Sequence, residues 1–127
     1  MVRRPGRRRC RRTGAWWLTP HPSRGEVWWV AFDPSIGGEI RKTRPALILS
    51  NDAANAALNR VQVVRIGSQV GRLYPGEAFI GLNGEKRKAM ADQLTTVSKL
   101  RLRSRMGQLS AADLAAVERA VRLQLAL

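Results

Sequence analysis

Short runs of apolar and β-branched residues, each closed by turn-forming residues, follow one another from Glu26 to Leu82. The first run, EVWWVAF, ends at the turn signal Asp33-Pro34, and runs of this kind predict strands. Residues 46–49 are apolar at every position, which is typical of a central strand that is covered on both faces. The predicted strands are residues 26–32, 46–49, 61–66 and 78–82.

Two further strands are predicted after Asn83-Gly84. This dipeptide favours a turn with two positive φ angles, so it predicts a hairpin into a strand between residues 88 and 97. One more short strand is expected around residues 105–109. Residues 55–60 are predicted to be a connector.

The C-terminal segment carries a helical pattern. Ser110 is followed three residues later by Asp113, which predicts a capping box at a helix start. Apolar residues then recur at helical spacing, at Leu114, Val117, Val121 and Leu125. We expect this helix to pack on the sheet. Short strands and one terminal helix, without β-α-β alternation, predict a mainly β fold built as a small barrel.

The charge of the chain points to a polyanionic partner. There are 23 Lys and Arg against 9 Asp and Glu, a formal net charge of +14. Without the seven arginines of the first twelve residues, the remainder still carries +7. Because cationic grooves release counterions when they take up phosphates, nucleic acid is the leading candidate.

Residues 1–23 combine arginine blocks with prolines, a mixture that repels itself and buries little apolar area. We predict a disordered basic tail over residues 1–23 and one folded domain over residues 24–127. The tail is interpreted either as a non-specific electrostatic handle or as an extra arm in which Trp16 and Trp17 stack on bases.

Several kinds of chemistry are excluded by count. The single cysteine, Cys10, allows no intramolecular disulfide and no cysteine-based zinc cluster. The single histidine, His21, excludes a mechanism with paired histidines and is not expected to be catalytic. No run approaches the roughly 18 apolar residues of a membrane span or the core of a signal peptide. We therefore expect a cytoplasmic protein without membrane contact, metal or cofactor.

Three ordered blocks of the sequence resemble the MazF/PemK toxin family. RGEVW at residues 24–28 is similar to the opening signature of the family, and KTRPALILSND at residues 42–52 is similar to its second-strand signature. Residues 91–102 resemble its later QI(R/T)T(I/V)xKxRL stretch. The resemblance covers roughly residues 24–127, and the tail lies outside it.

The resemblance implies an SH3-like barrel that forms a homodimer and acts as the toxin of a type II toxin-antitoxin system. Such a toxin cuts single-stranded RNA at short sequences and is silenced by an antitoxin peptide lying in the RNA groove. In family members the RNA 2′-hydroxyl is the nucleophile and no metal takes part. The products carry a 2′,3′-cyclic phosphate and a 5′-hydroxyl.

The resemblance also assigns candidate catalytic residues. The catalytic arginine of the family corresponds to Arg44, which suits a charge-stabilising role because guanidinium donates two parallel hydrogen bonds to phosphate oxygens. The family threonine at the end of the third strand corresponds to Gly67, so one hydroxyl is missing here. Arg65 and Ser68 flank this glycine and are the candidates to assist Arg44. The alternative for Arg44 is a surface ion pair with Glu39 or Asp52.

A wider set of residues is expected to hold the RNA. Part of this set lies in the loop after the first strand, where two glycines allow the loop to fold over RNA. The charged run at residues 85–88 and the cations at residues 99–105 are interpreted either as solvated faces or as phosphate contacts. For Trp28 and Trp29, packing is favoured over base stacking. The candidate RNA-binding residues are Arg24, Gly37, Gly38, Arg41, Lys42, Gln69, Arg72, Lys86, Arg87 and Gln93.

Three other functions compete with this interpretation. A glycine in place of the family threonine is compatible with a protein that grips RNA without cutting it. The same barrel occurs in gyrase poisons, which act through a partner enzyme and leave RNA intact. A ribosomal structural role is suggested only by the arginine-rich tail.

Overall fold

A computed structural model describes residues 21–32 and 43–127 of the chain. The predicted tail, apart from residues 21–23, and the candidate residues Gly37, Gly38, Arg41 and Lys42 therefore lie outside the described residues. The strands are β1 (Glu26–Ala31), β2 (Thr43–Ile48), β3 (Arg60–Gly67), β4 (Glu77–Leu82), β5 (Glu85–Ser98) and β6 (Leu102–Gln108). The helices are α1 (Asp52–Ala57), a single 3₁₀ turn (Lys99–Arg101) and α2 (Ala111–Leu125).

The six strands form one antiparallel sheet in the order β4-β5-β3-β2-β1-β6. Its two outer strands approach each other, because Asn83 Nδ2 donates a hydrogen bond of 3.1 Å to the backbone oxygen of Met106. No backbone pairing joins β4 to β6 within the described residues. The mainly β fold with a terminal helix is thus confirmed, and the barrel takes the form of a curled sheet with an open seam.

The predicted hairpin at Asn83-Gly84 is confirmed. Asn83 has a φ of 53° and Gly84 a φ of 81°, the two positive values that the turn requires. The strand that follows, β5, is longer than predicted, and it pairs with β4 on one side and β3 on the other. Opposite the step from Val64 to Arg65, its partner changes from Leu94 to Met90, so residues 91–93 form a bulge.

Apolar side chains fill both faces of the sheet. One cluster lies between the sheet and α2, and it includes Val27, Leu47, Val64, Ile80 and Val117. The other lies on the opposite face and consists of Val30, Ala46, Ile48, Val61, Val63 and Val97, with Trp28 and Phe32 packed against it. The prediction that the apolar run after Pro45 is covered on both faces is confirmed, since its first three residues are fully buried.

Helix α1 corrects the prediction of a connector at residues 55–60. Asn51 is the N-cap of this helix, and its side chain accepts a 2.8 Å hydrogen bond from Ala54 N. Asn55 is fully buried, and its Nδ2 donates to the backbone oxygen of Ser50 at 2.9 Å. The helix is therefore fixed by side-chain amides rather than by an apolar stripe.

The capping box predicted at the start of α2 is half present. Ser110 Oγ accepts a 3.1 Å hydrogen bond from the backbone N–H of Asp113, as expected. The Asp113 carboxylate, however, accepts a 2.9 Å hydrogen bond from the backbone N–H of Gly81 in β4. The aspartate therefore joins the helix to the sheet instead of completing its own cap.

Candidate active site

A groove of about 650 Å³ opens where β2 begins and β3 ends, beside the loop after β3. Four of its lining residues are cationic and, among the described residues that line it, none is acidic. All three candidate catalytic residues lie here. The groove is lined by Trp29, Arg44, Pro45, Arg65, Ile66, Gly67, Ser68, Gln69, Arg87, Lys88, Met90 and Gln93.

Strand register explains why residues distant in sequence meet in this groove. Ala46 of β2 lies opposite Arg65 of β3, so Arg44, two residues earlier, is on the same face as Arg65. Arg65 in turn lies opposite Met90, and Gly67 lies opposite Lys88. Three neighbouring strands therefore present these residues on one face of the sheet.

Arg44 is exposed and stands immediately before the buried Pro45. It pairs in register with Val30 of β1, and it makes no ion pair with any residue that the structure describes. Asp52, one of the partners considered for it, instead accepts a 2.7 Å hydrogen bond from the backbone N–H of Arg24. The other, Glu39, lies outside the described residues. The guanidinium of Arg44 is thus not neutralised by a described carboxylate.

Arg65 stands between the groove and a second cavity. Its Cζ atom lies 4.5 Å from the centroid of the Phe32 ring, a cation–π contact. The second cavity has a volume of about 410 Å³ and is lined by Phe32, Arg65, Gln93 and polar residues of β5. Arg65 and Gln93 belong to both linings, so the two cavities adjoin each other at these residues.

The end of β3 places Ser68 in the groove. The strand ends at Gly67, so the alternation that would have turned Ser68 to the opposite face no longer applies. A Cβ atom at Gly67 would lie 3.1 Å from Met90 Cε and 3.5 Å from Met90 Sδ. The thioether of Met90 therefore lies beside the glycine that replaces the family threonine.

The two cations that β5 contributes are both engaged within the protein. Arg87 Nη2 lies 2.9 Å from Glu85 Oε1, and its buried Nε has no hydrogen-bond partner among the described residues. Lys88 is buried and forms an ion pair of 3.1 Å with Glu77. The interpretation of residues 85–88 as a solvated face is therefore wrong for Lys88.

Other predicted RNA-binding residues lie away from this groove. Arg24 makes an ion pair with Glu118 of α2 and donates a 2.7 Å hydrogen bond to the Leu49 backbone oxygen. The cationic groups of Arg72 and Lys86 lie 5.3 Å and 4.0 Å from the ring centroids of Tyr74 and Phe79. Gln69, Arg87 and Gln93 are the predicted binders that the structure brings to the groove.

Two cations of the basic cluster at residues 99–105 are engaged with β1 and the residue that follows it. Arg101 Nη1 donates to the backbone oxygens of Ala31 and Phe32 at 3.2 and 3.3 Å. Arg105 Nε lies 3.0 Å from Glu26 Oε2. Partial burial lowers the pKa of Lys99. These cations mainly join the start of β6 and the preceding turn to β1.

Trp29, Met90 and Lys88 line the groove but were not among the candidates. The two tryptophans of β1 differ in their surroundings: Trp28 packs against the second apolar cluster and donates to Glu26 Oε1 at 3.0 Å, whereas Trp29 lines the groove. Because side chains alternate between the two faces of a strand, the sequence placed the rings of Trp28 and Trp29 on opposite faces of β1. It did not indicate which ring would face the groove. The register of β5 against β3 places Met90 and Lys88 in the groove. This register depends on the bulge in β5, which nothing in the sequence indicated.

The chain matches known toxins along most of its length. Residues 23–125 match the family described as PemK-like, MazF-like toxin of type II toxin-antitoxin system. The chain is 37% identical over 112 residues to endoribonuclease MazF9 of Mycobacterium tuberculosis, which covers 80% of this chain and 94% of that protein. It is 53% identical over 38 residues to the probable endoribonuclease MazF1 of the same organism, 30% of this chain and 41% of that protein.

Solved structures show the same fold. MazF from Deinococcus radiodurans superposes with a TM-score of 0.71 at 26% identity, over 85% of this chain and 99% of that one. A mycobacterial endoribonuclease in complex with its cognate antitoxin superposes with a TM-score of 0.69 at 26% identity, over 84% of this chain and 96% of that one. No helix within residues 21–32 and 43–127 is long and apolar enough to cross a membrane.

Proposed function

The chain belongs to the family of PemK-like, MazF-like toxins of type II toxin-antitoxin systems, and from this premise we propose that it cleaves single-stranded RNA in the groove at Arg44. The observation that carries the proposal is the meeting of Arg44, Arg65 and Ser68 in one groove whose described lining holds no carboxylate. Such a surface favours a phosphodiester over a cationic ligand. The similarity to proteins named endoribonucleases supports the same reaction.

In the proposed reaction the RNA supplies its own nucleophile. The 2′-oxygen attacks the adjacent phosphorus and loses its proton, the bond from phosphorus to the 5′-oxygen breaks, and the departing oxygen takes up a proton. The products are a 2′,3′-cyclic phosphate and a 5′-hydroxyl. This transesterification requires neither an electron donor nor a metal. The described lining of the groove offers hydrogen-bond donors rather than carboxylate ligands.

Arg44 is assigned the stabilisation of the charge that gathers on the phosphate oxygens. Its guanidinium remains protonated and presents a planar fork, so it can donate two hydrogen bonds to one phosphate. Arg65 approaches the same site from the neighbouring strand, with its plane supported by Phe32. Ser68 adds a hydroxyl at the position nearest to Gly67. Gln69 and Gln93 offer amide groups for reading base edges.

We further propose that the protein forms a homodimer and is silenced by a cognate antitoxin that covers this groove. A mycobacterial relative has been solved with its cognate antitoxin, and Deinococcus radiodurans MazF with MazE. A peptide that lies in the groove would exclude RNA from Arg44, and carboxylates on the peptide would pair with guanidinium groups that RNA otherwise occupies.

Cleavage of a mixed RNA pool in EDTA tests the proposal. Purified wild type is expected to yield fragments whose ends are cyclic phosphates, and Arg44→Ala is expected to abolish them. Arg60→Ala is a matched control, because Arg60 is an exposed cation at the opposite end of β3, and among the described residues its side chain forms a hydrogen bond with Asn59 alone. An uncut pool with wild type, or equal cleavage by Arg44→Ala, would contradict the proposal.

One observation favours a second candidate function, RNA binding without cleavage. The family threonine is Gly67 here, and Met90 lies against it, so the groove lacks a hydroxyl at that position. Under this alternative the wild type shifts labelled RNA in a gel and yields no product.

A further inference from the structure

Lys88 lines the groove, yet its charge is directed into the protein. The Lys88 and Glu77 side chains are 9% and 11% exposed, and Nζ lies 3.1 Å from Glu77 Oε1. Nζ also donates a 2.9 Å hydrogen bond to the backbone oxygen of Arg72. A lysine is rarely buried unless it is paired. Because burying two charges has a desolvation cost, a buried ion pair at the wall of the groove suggests a structural function.

One partner of Lys88, the Arg72 carbonyl, belongs to the segment that joins β3 to β4, residues 68–76, and the other, Glu77, is the first residue of β4. Glu77 Oε1 also accepts a 2.8 Å hydrogen bond from the backbone N–H of Tyr74, and Glu77 N donates to Tyr74 O at 3.0 Å. Gly76 closes this turn with a φ of 83°. The ammonium of Lys88 therefore ties the segment to β5 at the Arg72 carbonyl, and through Glu77 Oε1 it is linked to the backbone N–H of Tyr74, while the backbone N–H of Ala91 in β5 donates a 2.9 Å hydrogen bond to Gly76 O.

The same segment supplies one wall of the groove. It begins with Ser68 and Gln69, which line the groove directly after β3. Lys88 lies opposite Gly67 in the β3–β5 register, next to the point where the segment leaves the sheet. Lys88 thus leaves β5 next to the start of the segment that carries Ser68, and the same strand also carries Met90 and Gln93.

We propose that Lys88 is a positioning residue that fixes segment 68–76, and with it Ser68 and Gln69, in the shape that RNA meets. Its role in cleavage rests on the function proposed above, whereas its effect on the segment does not. Lys88 uses its charge on Glu77 and Arg72 and contributes no phosphate contact. A phosphate contact and a positioning residue respond differently to substitution, which makes the proposal testable.

Limited trypsin digestion in the absence of RNA tests whether Lys88 fixes segment 68–76. The bond after Arg72 lies in the exposed part of the segment, where Leu73 is 46% exposed. Lys88→Met removes the donor to the Arg72 carbonyl, so cleavage after Arg72 is expected to be about tenfold faster than in wild type, because a hydrogen bond to a charged group has been lost. Lys86→Met is the matched control, since Lys86 lies over Phe79 on the same strand, and it should digest at the wild-type rate.

A second variant keeps the test decisive if Lys88→Met folds poorly. Lys88→Met leaves Glu77 buried without its cation, whereas Glu77→Gln combined with Lys88→Met leaves no buried charge. The double variant should recover thermal stability and still digest faster than wild type after Arg72. Wild-type digestion rates in both Lys88 variants would overturn the proposal.

RNA measurements separate positioning from phosphate binding. We expect the double variant to lower kcat about tenfold and to change the preferred bases, because Ser68 and Gln69 shift. The dependence of RNA affinity on salt should stay as in wild type, whereas loss of a phosphate contact would reduce its slope by about one unit. A reduced slope with unchanged kcat would overturn the proposal. A wild type that leaves RNA uncut would contradict the proposed function instead, and the digestion would still decide the role of Lys88.

Discussion

The guanidinium of Arg65 lies over the ring of Phe32, with Cζ 4.5 Å from the ring centroid. Arg65 is also the residue that links the groove to the second cavity. The ring therefore supports a cation that belongs to both cavities.

Phe32→Leu should reduce cleavage about threefold, because a partly exposed cation–π contact contributes about 0.5–1 kcal/mol. Leucine keeps apolar bulk against the second cluster, so the melting temperature should change little. Steady-state cleavage of a defined RNA, with a thermal melt beside it, is the measurement. Phe32→Tyr retains a ring and serves as the control; equal losses in both variants would show that the ring does not act through Arg65.

Arg44→Lys should lower kcat by about tenfold or more, and Arg44→Ala by about 100-fold to 1000-fold, the range found when one transition-state donor is removed. Lysine keeps the charge but not the planar fork, so it tests whether two parallel hydrogen bonds are used. Single-turnover cleavage separates this effect from RNA binding. Full activity of the lysine variant would show that charge alone is sufficient.

Gly67→Thr should raise kcat by about tenfold or more if the missing hydroxyl limits the reaction, because a hydrogen bond to a charged group contributes about 1.5–3 kcal/mol. The new Cβ meets only the flexible end of Met90, at 3.1 Å, so the side chain can yield. Gly67→Val has the same shape without the hydroxyl and is the matched control. A rise shared by both variants would assign the gain to shape rather than to hydrogen bonding.

Arg24→Ala should destabilise the fold and leave cleavage unchanged. Arg24 pairs with Glu118 of α2 and donates to the Leu49 backbone oxygen, so its loss should lower stability by about 1–2 kcal/mol. A shift of the melting temperature by about 5–10 °C, with kcat/KM as in wild type, is expected. Glu118→Gln should produce part of the same shift; a loss of RNA affinity at constant stability would restore Arg24 to the RNA-binding set.

Much of the fold was predictable because each strand carries its own signal. The apolar run after Pro45 predicted a strand covered on both faces, and Asn83-Gly84 predicted the hairpin. Helix α1 was missed because a short alanine-rich segment has no apolar period, although Asn51 as an N-cap was a usable signal. Local sequence patterns thus identified the strands and helix α2, which each bury an apolar face. They missed helix α1, which depends on the side-chain amides of Asn51 and Asn55.

The site was predictable only in part, for a different reason. Arg44 followed from the family pattern, and Arg65 and Ser68 followed because they lie next to the position of the family threonine; all three line the groove. Lys88 was not found because its burial depends on Glu77 and on the Arg72 carbonyl, which the register of β4 against β5 brings to it. A charged run in a sequence does not reveal which of its members turns inward.

The hydrogen bond from Asn83 to the Met106 carbonyl has a consequence for how copies of the protein meet. Strands at the border of a sheet offer unpaired amides to which a strand from another molecule can add. Here the amide of Asn83 occupies the carbonyl of Met106, one acceptor at the border of β6. A side chain in a tight turn therefore removes one of the groups through which a strand of another molecule could add to this sheet.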